Sequence, residues 1–143
     1  MAKPWKNKIK MIGVIAGNFD VIHPGYIEMF NEMKKHVNEI HVLLHIDPSI
    51  DRPEKNKPVL SLHDRKMTLL ALKGISKVSS YSTEKDLLNL IIKINPNIRF
   101  LGNDYKNRTD YTGHGLTPKI VFLSRDHGWS TTKFKNLIAN SIK

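Results

Sequence analysis

Cysteine is absent from this chain of 143 residues. Without a thiol the chain has no disulfide framework, no cysteine nucleophile and no thiolate ligand for zinc. Long apolar runs are absent too. The first apolar segment is interrupted by Gly17, Asn18 and Asp20, and nothing approaches the roughly 18 consecutive apolar residues of a membrane-spanning helix. Aromatic residues make up 8% of the chain and form no strip on which successive bases would stack. These absences exclude a disulfide-rich scaffold and a membrane span.

The charge of the chain is strongly one-sided. Lys and Arg number 23 against 13 Asp and Glu, which gives a formal net charge of +10. Such an excess favours anionic partners such as nucleic acid or nucleotide phosphates. Part of it falls on Lys3, Lys6 and Lys8, where solvated charge is the alternative explanation. This basic opening segment is not followed by a small-residue cleavage site, so a cytoplasmic location is expected.

Five short apolar runs alternate with amphipathic segments along the chain. The runs cover 11–17, 40–46, 78–81, 98–101 and 120–123. Between the first two, Tyr26, Phe30 and Met33 recur near helical spacing. Such alternation predicts right-handed crossovers and a parallel sheet covered on both faces. We therefore expect a single α/β domain over 1–143, with a Rossmann-like, doubly wound, five-stranded parallel sheet and a ligand at the carboxyl ends of its strands.

Two connections are longer than a compact α/β fold requires. They are 47–60, with three prolines, and 103–118, which is polar throughout. Long loops in compact domains are commonly functional rather than decorative. The first of them contains Lys55 and Lys57, for which a solvated charge cluster is the alternative to a functional role.

The segment 17–26, GNFDVIHPGY, follows the first predicted strand and opens the first helix. It lacks the three spaced glycines of a dinucleotide-binding fingerprint. Gly17 suits a tight turn, His23 falls at the N-cap, and Pro24 suits the first helical position. Helix N-termini bind anions through unpaired N–H groups and the helix dipole, and Gly25 would expose such amides. His23 is therefore either a cap or a catalytic group.

A second helix start of this kind lies near the carboxyl terminus. Ser130, Thr131 and Thr132 open the last predicted helix. Their hydroxyls either cap that helix or, together with its free amides, form a second anion site that faces the first. For one anionic ligand to be held by both helix starts, the two must converge in one cleft.

These two segments resemble the signatures of one enzyme family. GNFDVIHPGY resembles the Gly-Thr-Phe-Asp and His-x-Gly-His segments of the nucleotidyltransferase superfamily, especially of its glycerol-3-phosphate cytidylyltransferase branch. GWSTT, residues 128–132, resembles the family's second signature, Gly-Ile-Ser-Thr-Thr. Asn18 stands where the family has Thr, and Tyr26 stands where it has the second His. Tyr26 keeps a hydrogen-bond donor without the imidazolium charge, and packing beside Phe30 is its alternative role.

The resemblance implies a set of site residues. The implied catalytic residues are His23, Lys55, Lys57 and Arg125. The implied nucleotide-binding residues are Gly17, Asn18, Phe19, Gly25, Tyr26, Gly102, Asp104, Ser130, Thr131 and Thr132. Arg65 would hold the acceptor phosphate, or else it merely decorates its helix. Asp104 would accept a hydrogen bond from the exocyclic amine of cytosine or adenine, or else it forms an Asx turn.

The activity implied is transfer of CMP from CTP to glycerol 3-phosphate, or to a similar phosphate acceptor, giving CDP-glycerol and pyrophosphate. Mg²⁺ would be held mainly by the substrate phosphates, because clustered carboxylates are scarce and the seven histidines form no convincing metal site. An adenylyltransferase acting on a sugar phosphate is one alternative. A catalytically impaired nucleotide- or nucleic-acid-binding protein is another. We expect a homodimer, and nucleic acid is not the expected partner.

Overall fold

Five parallel strands form one sheet with helices on both faces in a computed structural model that describes residues 10–143. The strands are β1 (Ile12–Gly17), β2 (Glu39–His45), β3 (Ile75–Tyr81), β4 (Ile98–Gly102) and β5 (Lys119–Leu123). The helices are α1 (Pro24–Met33), α2 (Pro48–Asp51), α3 (Leu62–Leu70), α4 (Glu84–Ile94) and α5 (Thr131–Ser141), with a short 3-10 helix at Asn103–Tyr105. The basic residues Lys3, Lys6 and Lys8 lie outside the described residues.

The strand order is β3-β2-β1-β4-β5, and every neighbouring pair is parallel. The chain proceeds from β1 outward to β3, and α4 then carries it back to β4 on the other side of β1. The direction of winding therefore reverses between β1 and β4, and an open α/β sheet binds ligands at the carboxyl ends of the strands at such a point. The predicted Rossmann-like, doubly wound, five-stranded parallel sheet is confirmed.

Both faces of the sheet are buried, which explains why its strands are nearly continuous apolar runs. Along β2, Val42 and Leu44 belong to the larger apolar core, which packs against α1 and α3. Leu43 points the opposite way, into a smaller core that includes Leu87 and Ile91 of α4. Successive strand residues thus serve opposite faces, as the period of two requires.

The two long connections contain short helical elements that the sequence pattern did not predict. Within 47–60, α2 begins after Asp47, whose Oδ1 accepts a hydrogen bond from the Ser49 amide at 2.9 Å. Within 103–118, the 3-10 helix follows directly on β4. Of the helices in residues 10–143, none is long and apolar enough to cross a membrane.

Candidate functional site

A cleft of about 590 Å³ opens at the carboxyl edge of the sheet. Its floor includes the ends of three neighbouring strands, where Gly17 closes β1, Gly102 closes β4, and Ser124 follows β5. A volume of this size falls within the range that small-ligand sites occupy. The topology therefore provides one large cavity at the position where the fold predicts a ligand.

His23 is the N-cap of α1 and lines this cleft. Its Nδ1 accepts a hydrogen bond from the Gly25 amide at 3.1 Å, so the ring proton of the neutral imidazole resides on Nε2. Burial lowers the pKa of His23, and the neighbouring His127 lowers it further. The side chain is therefore a neutral imidazole at pH 7, with Nε2–H as its remaining donor.

The two helix starts predicted to converge do meet. His23 Nε2 lies 3.5 Å from Thr131 Oγ1, at the first residue of α5. Tyr26 Oη lies 3.0 Å from the same hydroxyl, although these residues are more than a hundred positions apart in the chain. The starts of α1 and α5 therefore form one wall of the cleft, with the Thr131 hydroxyl between them.

Aromatic rings fix the orientation of His23. The Tyr26 ring stacks on the imidazole with 4.3 Å between centroids, and the Trp129 ring is nearly parallel to it at 6.0 Å. Burial raises the pKa of Tyr26, so its phenol remains a neutral hydrogen-bonding group. The two roles proposed for Tyr26 are thus compatible: the ring packs, and the hydroxyl joins α1 to α5.

The expectation that the Gly25 amide is free to bind an anion is wrong. That N–H donates to His23 Nδ1, and the next amide, of Tyr26, donates to the His23 carbonyl at 3.0 Å. Gly25 is needed for close packing instead, since a Cβ there would lie 2.7 Å from the Trp129 Cβ. A histidine cap followed by proline leaves the first turn of α1 without unpaired donors, because proline has no N–H.

The start of α5 does offer free donors. Ser130 Oγ caps the helix by accepting from the Lys133 amide at 3.1 Å. In the described part of the chain, the amides of Thr131 and Thr132 donate to no protein acceptor. Two unpaired N–H groups at the positive end of a helix dipole form an anion-binding position. Of the two helix starts, α5 is therefore the one that supplies backbone donors.

A smaller cavity of about 200 Å³ adjoins the cleft and shares Lys55 and Thr131 with it. It is also lined by Thr132 and by Lys135. Lys135 is paired with Asp20, which also lines the cavity, so Lys55 supplies its net positive charge beside the free amides of α5. Lys57 lines neither cavity, so of the two predicted loop lysines only Lys55 faces the site.

Asp20, which the sequence analysis did not assign, anchors this side of the site. Its carboxylate accepts hydrogen bonds from the amides of Val59 and Leu60, at 2.7 and 2.9 Å, and pairs with Lys135 at 2.9 Å. Burial by itself would raise the pKa of Asp20, but the two amides and Lys135 outweigh it, so the pKa is lowered. Asp20 thus ties the end of the 47–60 connection to α5.

Arg125 and Asp104 form an exposed ion pair at the rim of the cleft. Arg125 Nη2 lies 3.4 Å from Asp104 Oδ1, and Arg125 lines the cleft. Gly102 lies beneath the pair, where a Cβ would approach Asp104 Oδ1 to 2.5 Å. Asn18 and Phe19 line the cleft too. Phe19 has a positive φ of 44°, so the turn after β1 is held in a left-handed conformation while the Phe19 ring is buried.

The expectation that Arg65 binds the acceptor phosphate disagrees with the structure. Arg65 is 2% exposed and lines neither cavity. Its guanidinium donates four hydrogen bonds to main-chain carbonyls, which belong to Asn18, His45, Ile46 and Leu60. With four of five N–H groups engaged, Arg65 joins the turn after β1 to the end of β2 and has no donor fork left for a ligand.

Comparison with known protein families gives a match over most of the chain. The family model described as cytidylyltransferase-like matches residues 14–138, a span that contains both helix starts and all five strands except the first residues of β1. The chain belongs to the cytidylyltransferase-like family.

Curated relatives of this cytidylyltransferase-like chain differ in name and in length. The bifunctional protein HldE of Nitrobacter winogradskyi is 30% identical over 133 residues, which is 90% of this chain and 27% of the relative. The FAD synthase of Methanolacinia petrolearia is 28% identical over 130 residues, which is 87% of this chain and 86% of the relative. The chain thus spans about a quarter of the first relative and most of the second.

Solved structures share the fold. A lipopolysaccharide core biosynthesis protein from Thermoplasma volcanium has a TM-score of 0.66 and 25% identity, with 80% of this chain and 97% of that chain covered. Pantothenate synthetase from Thermus thermophilus has a TM-score of 0.59 at 11% identity, covering 89% of this chain and 64% of that chain. The second match shows the fold alone.

Several residues of the cytidylyltransferase-like site were missed by the sequence analysis. Trp129 and His127 lie against Gly25, and their rings close the cleft beside His23. Trp129 was visible inside the GWSTT segment, but nothing in the sequence showed that its ring reaches α1. Arg99 lies within an apolar strand run, and a single arginine at such a position predicts an edge or surface residue. In the structure Arg99 is 4% exposed and lines the cleft.

Proposed function

We propose that this chain transfers a nucleoside monophosphate from a nucleoside triphosphate to a small phosphorylated acceptor and releases pyrophosphate. The single observation that carries the proposal is the convergence of His23 and the α5 start, 3.5 Å apart, in one cleft at the switch point of the sheet. Family membership supports the reaction class. The geometry adds a neutral donor, free helix amides and a basic side cavity around one position.

In this proposal the triphosphate lies along the wall formed by α1 and α5. The Thr131 and Thr132 amides and the Lys55 ammonium hold the β- and γ-phosphates in the smaller cavity. His23 Nε2–H donates to a non-bridging oxygen of the α-phosphate as negative charge redistributes in the transition state. A fixed donor in a partly buried site is more effective there than solvent, because it needs no reorganisation during the reaction.

The reaction needs no covalent enzyme intermediate. An acceptor phosphate oxygen forms a bond to the α-phosphorus while the bond from that phosphorus to the α,β-bridging oxygen breaks, and pyrophosphate departs. The second ionisation of a phosphate monoester has a pKa near 6, so the attacking oxygen is deprotonated at pH 7 and requires no general base. The protein's contribution is positioning and charge stabilisation.

The few carboxylate and imidazole groups available at the site fit a divalent cation that is held mainly by substrate phosphates. In residues 10–143 no three His, Asp or Glu side chains cluster around one point. The carboxylate of Asp20 is occupied by two amides and Lys135, and Asp104 is paired with Arg125. Mg²⁺ keeps several waters and takes few protein ligands when phosphates bind it. We propose that Mg²⁺ enters with the triphosphate and offsets its charge.

For the substrates, we propose CTP and glycerol 3-phosphate first. The family description favours a cytidine nucleotide, and the sequence signatures resemble the glycerol-3-phosphate branch. A second candidate is ATP with a sugar phosphate. It is favoured by the similarity to a FAD synthase over most of that enzyme's length, because FAD contains an adenine nucleotide. Asp104 at the rim would accept a hydrogen bond from the exocyclic amine of either base.

The test is pyrophosphate release from each pairing of CTP or ATP with glycerol 3-phosphate or a sugar 1-phosphate, with product masses determined. We expect CTP with glycerol 3-phosphate to give CDP-glycerol. Turnover only with ATP selects the second candidate. Triphosphate binding without pyrophosphate from any pair would refute transferase activity on these substrates and would favour a binding protein. His23→Ala should abolish most turnover, whereas His63→Ala, on the exposed face of α3, is the matched control.

A further inference from the structure

Arg99 is a buried arginine on the floor of the cleft. It lies on β4 and is 4% exposed. Its Nη1 donates to the Thr112 carbonyl, and its guanidinium carbon lies 5.1 Å from the centre of the Tyr111 ring. Residues of the 103–118 connection thus cover Arg99 from one side. The open side faces the cleft, of which Arg99 is a lining residue.

Arg99 forms no salt bridge within residues 10–143. None of the ion pairs among those residues includes it. The carboxylate on the same side, Glu84, accepts instead from the Thr112 hydroxyl at 2.5 Å. Burial lowers the pKa of the Arg99 guanidinium, and the Glu84 carboxylate, which also lines the cleft, offsets only part of this effect. A buried charge is ordinarily paired, since leaving it unpaired is destabilising.

Arg65 provides a contrast within the same protein. Both arginines are almost completely buried, but Arg65 donates four hydrogen bonds to carbonyls and Arg99 donates one. Arg99 Nε and Nη2 have no protein acceptor in the described part of the chain. An arginine with a structural role, such as Arg65, donates most of its N–H groups to acceptors within the protein. Arg99 retains most of its donors beside a cavity.

We propose that Arg99 binds an anionic group, phosphate or carboxylate, of the acceptor substrate. The assignment to the acceptor rests on the proposed function, whereas the anion site itself does not. Phe100 belongs to the core packed by α1 and α3, so its neighbour Arg99 points to the opposite face, where α4 lies. The triphosphate is placed at the starts of α1 and α5, and a nucleobase and ribose carry no charge. The anion that compensates Arg99 therefore comes from the second substrate.

The first test compares substrate dependence in Arg99→Met and Arg99→Lys. Loss of a charge-assisted hydrogen bond corresponds to a rise of about 10- to 100-fold in the acceptor KM. We expect this rise in Arg99→Met, a smaller one in Arg99→Lys, and little change in the triphosphate KM. A rise confined to the triphosphate KM would overturn the proposal. Lys119→Met, an exposed change at the start of β5, is the control.

The second test does not depend on turnover. Thermal melts with and without inorganic phosphate, and in parallel with acetate, are recorded for wild type, Arg99→Met and the control Lys119→Met, which lies outside both cavities. Stabilisation by the anion should be reduced in Arg99→Met and should persist in Lys119→Met, and the two salts distinguish a phosphate site from a carboxylate site. Anion stabilisation that is unchanged in Arg99→Met would overturn the proposal even in an active enzyme. If the anion raises the melting temperature through Arg99 but the protein has no turnover, the proposed function is refuted and the anion site at Arg99 still stands.

The melting temperatures of the variants without ligand distinguish a binding role of Arg99 from a structural one. Because Arg99 is unpaired in the free protein, Arg99→Met should melt within a few degrees of wild type or above it. Arg65→Met leaves four carbonyls without donors and should melt roughly 10 °C lower or fail to fold. If Arg99→Met is unfolded or as destabilised as Arg65→Met, Arg99 is a structural residue and the proposal is wrong.

Discussion

Replacing His23 by alanine and by asparagine separates the two tasks that the structure gives this side chain. Nδ1 caps α1 by accepting from the Gly25 amide at 3.1 Å, and Nε2–H is directed toward the start of α5. Asparagine is among the best N-cap residues, and alanine cannot cap. Both variants lose the ring that stacks on Tyr26, so that loss is common to them. The difference between the two variants therefore isolates the cap.

The expected magnitudes differ for stability and for turnover. Loss of an N-cap costs about 1 kcal/mol in the free energy of unfolding, so His23→Ala should melt about 3 °C below His23→Asn in a chain of this size. Both variants lack a donor at Nε2. Removing one transition-state donor typically lowers kcat by roughly 10²- to 10³-fold, or about 3 to 4 kcal/mol. Turnover should fall by that factor in both variants, whatever their stability.

The assays are pyrophosphate release and thermal unfolding on the same preparations, with His63→Ala as the control. If His23→Asn retains turnover within about threefold of wild type while His23→Ala loses it, His23 acts only as a cap. The pH dependence gives an independent check. Because the pKa of His23 is lowered in the folded protein, its contribution to stability is present above the unfolded pKa of about 6.5 and declines as the pH falls toward the folded pKa. His23→Asn should remove that part of the decline.

Three further predictions concern the surroundings of the site. Asp20→Asn should lower the free energy of unfolding by about 2 to 3 kcal/mol at pH 7. Since the pKa of Asp20 is lowered by folding, this difference from wild type should shrink below pH 3.8 in acid unfolding curves, and a constant difference would contradict the carboxylate's role. Tyr26→Phe should cost about 1 kcal/mol through the lost bond to Thr131, and a large gain in kcat for Tyr26→His would show that this position limits the reaction. Lys55→Met should lower kcat/KM by roughly tenfold or more, and Lys57→Met should change it little; equal losses would contradict the placement of Lys57 outside both cavities.

Local patterns predicted most of the fold. The strand runs, the helix starts at Pro24 and Thr131, and the parallel doubly wound class all follow from period, capping and turn chemistry, which depend on neighbours in sequence. The short helix α2 was missed because four residues within a proline-rich segment carry no periodic signal. The start of β3 at Ile75 was missed because two exposed polar residues, Ser76 and Lys77, separate Ile75 from Val78.

The candidate site was predicted only in part, because sequence patterns depend on residues that are neighbours in the chain. His23 and the Ser130–Thr132 segment are marked by their own neighbours in the chain, so they were found. Arg65 and Arg99 were misjudged or missed, because a guanidinium carries the same charge and shape wherever it lies, and only its surroundings decide what it binds. Tyr26 was left with two alternatives, since the bond to Thr131 spans most of the chain.

The sequence by itself determined the order of elements, the positive charge and the positions of the two helix starts. Tertiary structure decided which donors remain unpaired. The first backbone amides of α1 are hydrogen-bonded to His23, whereas those of α5 have no acceptor within residues 10–143. Four N–H groups of Arg65 donate to main-chain carbonyls, whereas most of those of Arg99 remain free, over the same range of residues, beside a cavity. Whether a donor is free depends on which acceptors lie within about 3 Å of it, and that distance is set by packing between segments far apart in the chain.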